Sequence, residues 1–167
     1  MDIVAESIKI NSDIVKFKYR VSGLLIHDGK LLTTDMDNSG FLCLPGGYVN
    51  LGEDSESAIM REMQEEVKYK VEVDHLVAVI ENFFINKKQT VIHEIALYYL
   101  LNLKEKTQIE DYQFIENDNG RQIKHDFKWI ELENINNVDF RPSILKAKIA
   151  KKDMTFEHII YKEKRNS

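Results

Sequence analysis

The sequence predicts an α+β or α/β fold in which helices pack on a mixed β-sheet. Segments of strand and helix character follow one another in the order strands, helix, strands, helix, which is typical of a layered sheet-and-helix domain. The 167 residues suit one domain rather than two, and 43% hydrophobic with 31% charged residues is ordinary for a soluble globular protein. We therefore predict a single domain over residues 1–167.

The strands are predicted from short apolar or alternating runs that end at turn residues. The clearest turn is Asp28-Gly29, a dipeptide typical of two-residue hairpins. In chain order we predict a hairpin of residues 17–26 and 31–34, a polar loop at 35–40, a short strand at 41–44, strands at 71–84 and 91–103 joined by a turn at 86–89, a surface loop at 104–124, a strand at 127–130, a second helix from Pro142 to Ala150 and a closing strand at 156–161.

The best predicted helix covers Asp54 to Val67, a segment without Gly or Pro that begins with residues favoured at a helix start. Glu62, Glu65 and Glu66 are spaced i, i+3, i+4, so their side chains share one helix face. An adjacent apolar stripe allows the helix to bury one side. The helix can therefore hold three carboxylates at the edge of the core.

Three like charges at this spacing repel one another, and partial burial increases the repulsion. A divalent cation removes the conflict, since Mg²⁺ and Mn²⁺ prefer carboxylate oxygens combined with phosphate and water ligands. From the helix alone, two interpretations stand: a metal site, or a plain acidic face in contact with solvent.

The loop before the helix contains residues that can brace it. Gly46 and Gly47 permit a tight turn and a close approach of the backbone to a ligand. If this turn folds back over the helix start, Glu53 and Arg61 meet as a bidentate ion pair. A backbone carbonyl directed at the metal is a further expected result of the turn.

This segment resembles the signature of the Nudix hydrolase family. That signature reads Gly, five residues, Glu, seven residues, Arg-Glu, a bulky apolar residue, any residue, Glu-Glu, any residue, Gly and another bulky apolar residue. The residues in register are Gly47, Glu53, Arg61, Glu62, Met63, Glu65 and Glu66, after a Leu44-Pro45-Gly46-Gly47 lead-in similar to that of the family. Lys68 stands in place of the final Gly, which usually forms a left-handed C-cap, so the departure concerns the helix exit rather than a metal ligand.

The resemblance implies an α/β/α sandwich around a mixed sheet. It also implies hydrolysis of a phosphoanhydride bond in a nucleoside diphosphate linked to another group, with Mg²⁺ or Mn²⁺ as cofactor. By position, the implied metal ligands are Gly47 through its carbonyl, Glu62, Glu65 and Glu66, and the implied structural brace is Glu53 with Arg61. Glu62 or Glu65 is the implied catalytic residue that activates water.

An acid from outside the signature is also expected from the resemblance, at a position that varies within the family. The candidates are Glu81, Glu94, Glu116 and Asp126. Glu81 and Glu94 are preferred as further metal ligands, because a Glu inside a strand that is otherwise buried needs a partner; exposure at a sheet edge is the alternative. The five histidines show no paired metal-ligand spacing, and we predict surface or structural positions for them.

Net charge, cysteine content and the lengths of the apolar runs limit the partners and the location that we expect for the protein. A net charge of −5 provides no basic footprint for coating nucleic acid, and the single cysteine, Cys43, excludes an internal disulfide. The N-terminal residues lack a signal-peptide pattern and the apolar runs are too short to span a bilayer, so we expect a cytoplasmic location.

We therefore expect a small-molecule nucleotide as partner, no membrane, and no nucleic acid other than a capped or triphosphorylated RNA end. A homodimer stays open, since homodimers are frequent in the family. Two alternatives to an enzyme are a catalytically silent nucleotide-binding or regulatory domain of the same fold, and an interaction protein whose acidic helix is plain surface.

Overall fold

The computed structural model of the protein describes residues 8–11 and 14–163. Within these residues the helices are α1 (Ser55–Glu66) and α2 (Lys146–Ala150), with 3₁₀ turns at Leu132–Asn137 and Ser143–Leu145. The strands are β1 (Lys9–Asn11), β2 (Val15–His27), β3 (Lys30–Met36), β4 (Gly46–Tyr48), β5 (Val71–Ile85), β6 (Val91–Leu103), β7 (Tyr112–Asp118), β8 (Arg121–Glu131) and β9 (Glu157–Lys162).

The strands of the described residues form one sheet in the order β7-β8-β3-β2-β6-β5-β9, and β1 and β4 also pair with β2. The pairs β2–β6 and β5–β9 are parallel. The remaining pairs are antiparallel. The predicted mixed sheet is therefore confirmed.

Each face of the sheet has its own hydrophobic cluster. On one face the buried side of α1 packs on β2, β4 and β5, and the fully buried residues of this cluster include Ala58, Ile59, Met63, Val21 and Leu32. On the other face α2 and the 3₁₀ turns cover the sheet with Ile135, Leu145 and Ile149, together with Phe140 from the segment between the two turns. Burial of each large apolar side chain contributes roughly 1.5–3 kcal/mol. The layers are helix, sheet and helix, as the α/β/α prediction requires.

Helix α1 lies one residue inside each of its predicted limits. Asp54 is the N-cap, and its carboxylate accepts hydrogen bonds from the Ser57 N–H at 2.8 Å and the Ser57 hydroxyl at 2.7 Å. At the other end Val67 has an extended backbone, with φ −97° and ψ 123°. Lys68 is not among the described residues with a positive φ. The helix therefore ends without the left-handed C-cap that a glycine would supply.

The predicted surface loop at 104–124 is wrong, because this segment contains β7 and the start of β8. The two strands turn at Asn119 and Gly120, with φ of 49° and 84°, the positive values that a tight hairpin turn requires. β7 lies at one end of the strand order, and every second residue faces solvent. Its sequence is therefore too polar to be predicted as a strand from hydrophobicity.

Two other elements are shorter than predicted. The segment 41–44 forms isolated bridges through Leu42 and Cys43 rather than a strand, because the chain bends there into the loop before α1. The second helix begins at Lys146 instead of Pro142, since Ser143–Leu145 form a 3₁₀ turn.

Among the described residues, none of the helices is both long and apolar enough to cross a membrane.

Candidate active site

The apolar side of α1 determines how its acids are exposed. Packing of this side on the sheet carries Glu62 and Glu66 into the interior, where they are 8% and 7% exposed. Glu65 points away from the core, and about half of its side chain is exposed. The predicted face of three carboxylates is therefore divided into two buried acids and one in contact with solvent.

Arg61 joins α1 to the loop that precedes it. Its Nε and Nη2 donate hydrogen bonds to the two carboxylate oxygens of Glu53 at 2.8 and 3.0 Å, a bidentate geometry. Nη2 also donates to the Tyr48 carbonyl at 2.9 Å, and the Glu53 carboxylate accepts a bond from the Asn50 N–H at 3.0 Å. These contacts fix the end of β4 and the following turn against the helix.

We expect Glu53→Gln to lower the free energy of unfolding by about 1–3 kcal/mol, because it leaves Nε and Nη2 of the partly buried Arg61 guanidinium without their carboxylate partner. Urea denaturation measures the loss. The matched control is Glu56→Gln, which neutralises an exposed carboxylate in the first turn of the same helix. Equal stability of the two variants would rule out a bracing role.

The same guanidinium also contacts two acids of the helix. Nη1 of Arg61 donates to Glu62 at 2.8 Å and to Glu65 at 3.4 Å. Arg61 therefore compensates the charges of Glu62 and Glu65, whereas Oε2 of Glu66 is buried and makes no hydrogen bond.

Gly47 lies directly against Glu62. A Cβ at this position would overlap the carboxylate carbon and both carboxylate oxygens of Glu62. Gly47 is opposite Val21 in the β4–β2 pair, so the backbone cannot withdraw without disturbing the sheet. This close approach requires glycine, and it places the Gly47 backbone beside an acid that is itself a predicted ligand.

Burial changes the ionisation of both interior acids. It raises the pKa of Glu62, although the hydrogen bond from Arg61 opposes this shift. Burial raises the pKa of Glu66 to about 9, and the negative charges of Glu62 and Glu116 add to the rise. A buried carboxyl with neighbouring acids favours either a proton or a bound cation.

The β7–β8 hairpin brings two further side chains to Glu66. Glu116 of β7 and His125 of β8 lie on the same face of the hairpin, and Nε2 of His125 is 2.9 Å from Oε2 of Glu116. One potential ligand atom from each of Glu66, Glu116 and His125 lies within 4.8 Å of the other two. We call these three residues the acid–imidazole cluster.

The acid–imidazole cluster fits a divalent cation. Oε2 of Glu66 and Nδ1 of His125 are buried and make no hydrogen bond. A buried polar atom without a partner costs about 1–3 kcal/mol, and a cation between the three side chains would give Glu66 its missing partner. Carboxylate oxygens and imidazole nitrogens are both common ligands of divalent metals.

The two preferred acids from outside the signature lie elsewhere. Glu81 is 2.9 Å from Nε2 of His158, across the β5–β9 pair. Glu94 is buried on β6, and its charge raises the pKa of the Arg20 guanidinium against the effect of burial. Neither residue belongs to a metal-type cluster among the described residues. The geometry therefore favours Glu116 as the acid from outside the signature.

A sequence signal for the hairpin was present in Asn119-Gly120, a dipeptide typical of hairpin turns. A two-residue turn there pairs position 118 with 121, which places Glu116 and His125 on one face. Asp126, the remaining candidate, points to the opposite face and pairs with Lys124 at 3.1 Å. His125 was predicted to be a surface or structural residue, because the histidines show no paired metal-ligand spacing along the sequence. Its position beside Glu116 depends on the β7–β8 pair, and β7 was not predicted.

A cavity of about 370 Å³ lies outside the acid–imidazole cluster, since none of the cluster residues and none of the acids of α1 lines it. Residues of its wall include Arg20, Phe41, Asn82, Glu94, Tyr98 and Arg141. Nε of Arg20 and Oδ1 of Asn82 are buried without a hydrogen bond. The positive charge of Arg20 acts to lower the pKa of both Glu62 and Glu66, so this side chain connects the cavity electrostatically with the acidic helix.

The family model of the NUDIX domain matches residues 16–150. The chain belongs to this family. The matched range contains both the acidic helix and the β7–β8 hairpin. A MutT-like protein from Streptomyces ambofaciens is 40% identical over 63 residues, which cover 37% of this chain and 41% of that protein. The similarity therefore spans less than half of the relative.

Solved NUDIX structures have a similar fold. A NUDIX hydrolase from Nitrosomonas europaea has a TM-score of 0.60 at 17% identity, over 87% of this chain and 79% of that chain. An ADP-ribose pyrophosphatase from Streptococcus suis has a TM-score of 0.57 at 14% identity, over 86% and 98%. A MutT protein from Methanosarcina mazei has a TM-score of 0.58 at 19% identity, over 86% and 96%. At these identities the comparison confirms the NUDIX fold and nothing finer.

Proposed function

We propose that the protein is a divalent-cation-dependent NUDIX pyrophosphohydrolase that cleaves a phosphoanhydride bond in a nucleoside diphosphate linked to another group. The observation that carries this proposal is that Glu66, buried near Glu62 on helix α1, meets Glu116 and His125 in the acid–imidazole cluster. A plain surface helix would not bury two acids that repel each other. The match over residues 16–150 supports the prediction of a single domain.

Glu66 and Glu116 are the proposed principal ligands of the cation, and Glu65 can approach it from the solvent side. Bound Mg²⁺ or Mn²⁺ would neutralise charge on the diphosphate and make water a stronger nucleophile. Glu62 is the proposed general base, because burial raises its pKa towards the range useful for proton transfer near neutral pH. Arg61 orients Glu62 through one carboxylate oxygen and leaves the other for the proton.

The cavity is the proposed site for the nucleoside or for the group attached to the diphosphate. Its size and its mixture of aromatic and polar side chains are typical of small-molecule sites. Arg20 is placed to meet phosphate charge, since its Nε makes no hydrogen bond. The ADP-ribose pyrophosphatase with the same fold carries a name from this substrate class, which agrees with the proposal.

The test is product release with Mg²⁺ or Mn²⁺ from a panel of nucleoside triphosphates, ADP-ribose and other sugar nucleotides, dinucleoside polyphosphates and capped RNA. We expect turnover of at least one member, and a loss of about 100-fold in Glu65→Gln, equivalent to about 2.7 kcal/mol of transition-state stabilisation. Glu72→Gln, an exposed carboxylate on β5, is the control and should retain activity. Tight nucleotide binding without turnover of any substrate would favour a silent binding domain instead.

A further inference from the structure

We propose that His125 is a direct nitrogen ligand of the cation site, and that this ligand makes the site prefer first-row transition ions such as Mn²⁺ and Co²⁺ over Mg²⁺. The inference rests on the proposed function, because it assumes that Glu66 and Glu116 hold a cation. Beyond the proposed function, it assigns a metal ligand from outside the acidic helix and predicts which metal ions the site prefers.

The structure holds the His125 ring at the cluster. The ring stacks on Phe127 with centroids 5.9 Å apart and an interplanar angle of 12°, and it contacts Phe114 at 5.9 Å. His125 is 2% exposed, so its neighbours enclose the ring almost completely. Its Nε2 lies at Glu116, which is a proposed ligand itself.

The hydrogen bonds of His125 differ from those expected of a purely structural histidine. Buried polar atoms almost always have partners, yet Nδ1 of His125 makes no hydrogen bond, so no acceptor anchors the ring through that nitrogen. Oε2 of Glu66 is also buried without a partner. Because one ligand atom of each of Glu66, Glu116 and His125 lies within 4.8 Å of the other two, an ion bound there would give the buried Glu66 oxygen a partner and would be reached by a ring that no other acceptor anchors.

The donor set determines the metal preference. Two carboxylates and one neutral imidazole provide oxygen and nitrogen ligands, whereas Mg²⁺ prefers oxygen ligands alone and retains its water. Imidazole suits first-row transition ions, and their affinity for such sites rises from Mn²⁺ to Co²⁺. A site with His125 as ligand therefore favours Co²⁺ and Mn²⁺ more strongly than a site made of carboxylates.

Electron spin echo envelope modulation of bound Mn²⁺, in protein with ¹⁵N-labelled histidine, tests the contact directly. We expect a ¹⁵N coupling typical of a coordinated imidazole in the wild type. The matched control is His93→Phe, which removes a histidine that also stacks on an aromatic ring and has a buried, unpaired Nε2. This control should keep the coupling, and His125→Phe should lose it.

Titration of the free Mn²⁺ signal, with Mg²⁺ and Co²⁺ as competitors, tests the preference. We expect His125→Phe to weaken Mn²⁺ binding by about tenfold, the usual range for loss of a supporting or ligating histidine, with a change below about twofold for Mg²⁺. Bound Mn²⁺ without nitrogen coupling in the wild type would refute the inference and leave the proposed function intact. Failure of the wild type to bind Mn²⁺ would refute both. The wild-type spectrum decides the question even if the variant does not fold.

Discussion

Glu66→Gln is expected to remove the stabilisation of the protein by Mn²⁺ and to lower turnover by at least about 100-fold, or about 2.7 kcal/mol of transition-state stabilisation. Glu66 belongs both to the acidic helix and to the acid–imidazole cluster, so its loss affects every proposed arrangement of ligands. Mn²⁺ at about 100 times its dissociation constant stabilises a binding protein by about 2.7 kcal/mol. Thermal unfolding with and without Mn²⁺ measures this difference.

Glu72→Gln is the matched control for this experiment, because it neutralises an exposed carboxylate on the same protein. It should keep the full increase in stability with Mn²⁺. If Glu66→Gln kept that increase as well, the cation would not bind at the cluster, and the proposed ligand set would have to be abandoned.

The same variant is expected to change the pH dependence of stability in the absence of metal. Burial raises the pKa of folded Glu66 from 4.5 to about 9, so the folded protein retains a proton that the unfolded chain releases. When the pKa of a group is higher in the folded than in the unfolded protein, its full contribution to stability is present below the unfolded pKa. That contribution is lost as the pH rises towards the folded pKa. The free energy of unfolding of the wild type should therefore fall between pH 4.5 and about 9, whereas that of Glu66→Gln should not show this fall. Urea denaturation in the presence of a chelator measures it, and parallel pH profiles would contradict the assignment.

The parts of the fold that depend on local sequence were predictable. Helix α1 was placed within one residue at each end, because Asp54 supplies the cap and the interior contains no Gly or Pro. The hairpin at Asp28-Gly29 follows from turn chemistry alone. By contrast, β7 owes its strand conformation to pairing with β8 along its whole length, and hydrophobicity along the chain does not report such pairing.

The same limit applies to the candidate site. The acids of α1 are neighbours through the helix period, so their proximity is a local property. Glu116 reaches Glu66 only through the sheet order β7-β8-β3-β2, which is a property of the whole fold. Glu94 was a candidate ligand because a buried carboxylate needs a partner, but Arg20 on the neighbouring strand supplies the positive charge. The burial of Glu94 therefore predicts that this acid has a partner, but it does not tell whether the partner is a metal ion or a positively charged side chain.

Gly47→Ala is expected to reduce turnover by about 100-fold, the size of effect that a displacement of about 1 Å at a reacting group can produce. The added methyl group would overlap the Glu62 carboxylate, which must then move and break its 2.8 Å hydrogen bond with Arg61. Steady-state kinetics measures the loss. We expect the free energy of unfolding to fall by only about 1 kcal/mol, a typical value for one mutation, since the displaced group is the end of a side chain.

A double-mutant cycle separates this mechanism from a general disturbance of the loop. Glu62→Ala removes the carboxylate that the new methyl group would meet, so Gly47→Ala should cause little further loss of turnover in that background. The two single variants should then have nearly the same activity as the double variant, because all three lack a correctly placed general base. If Gly47→Ala instead reduced turnover by the same factor with and without Glu62, the two effects would be independent. In that case the glycine would act through the backbone of the loop, and contact with Glu62 would not be its role.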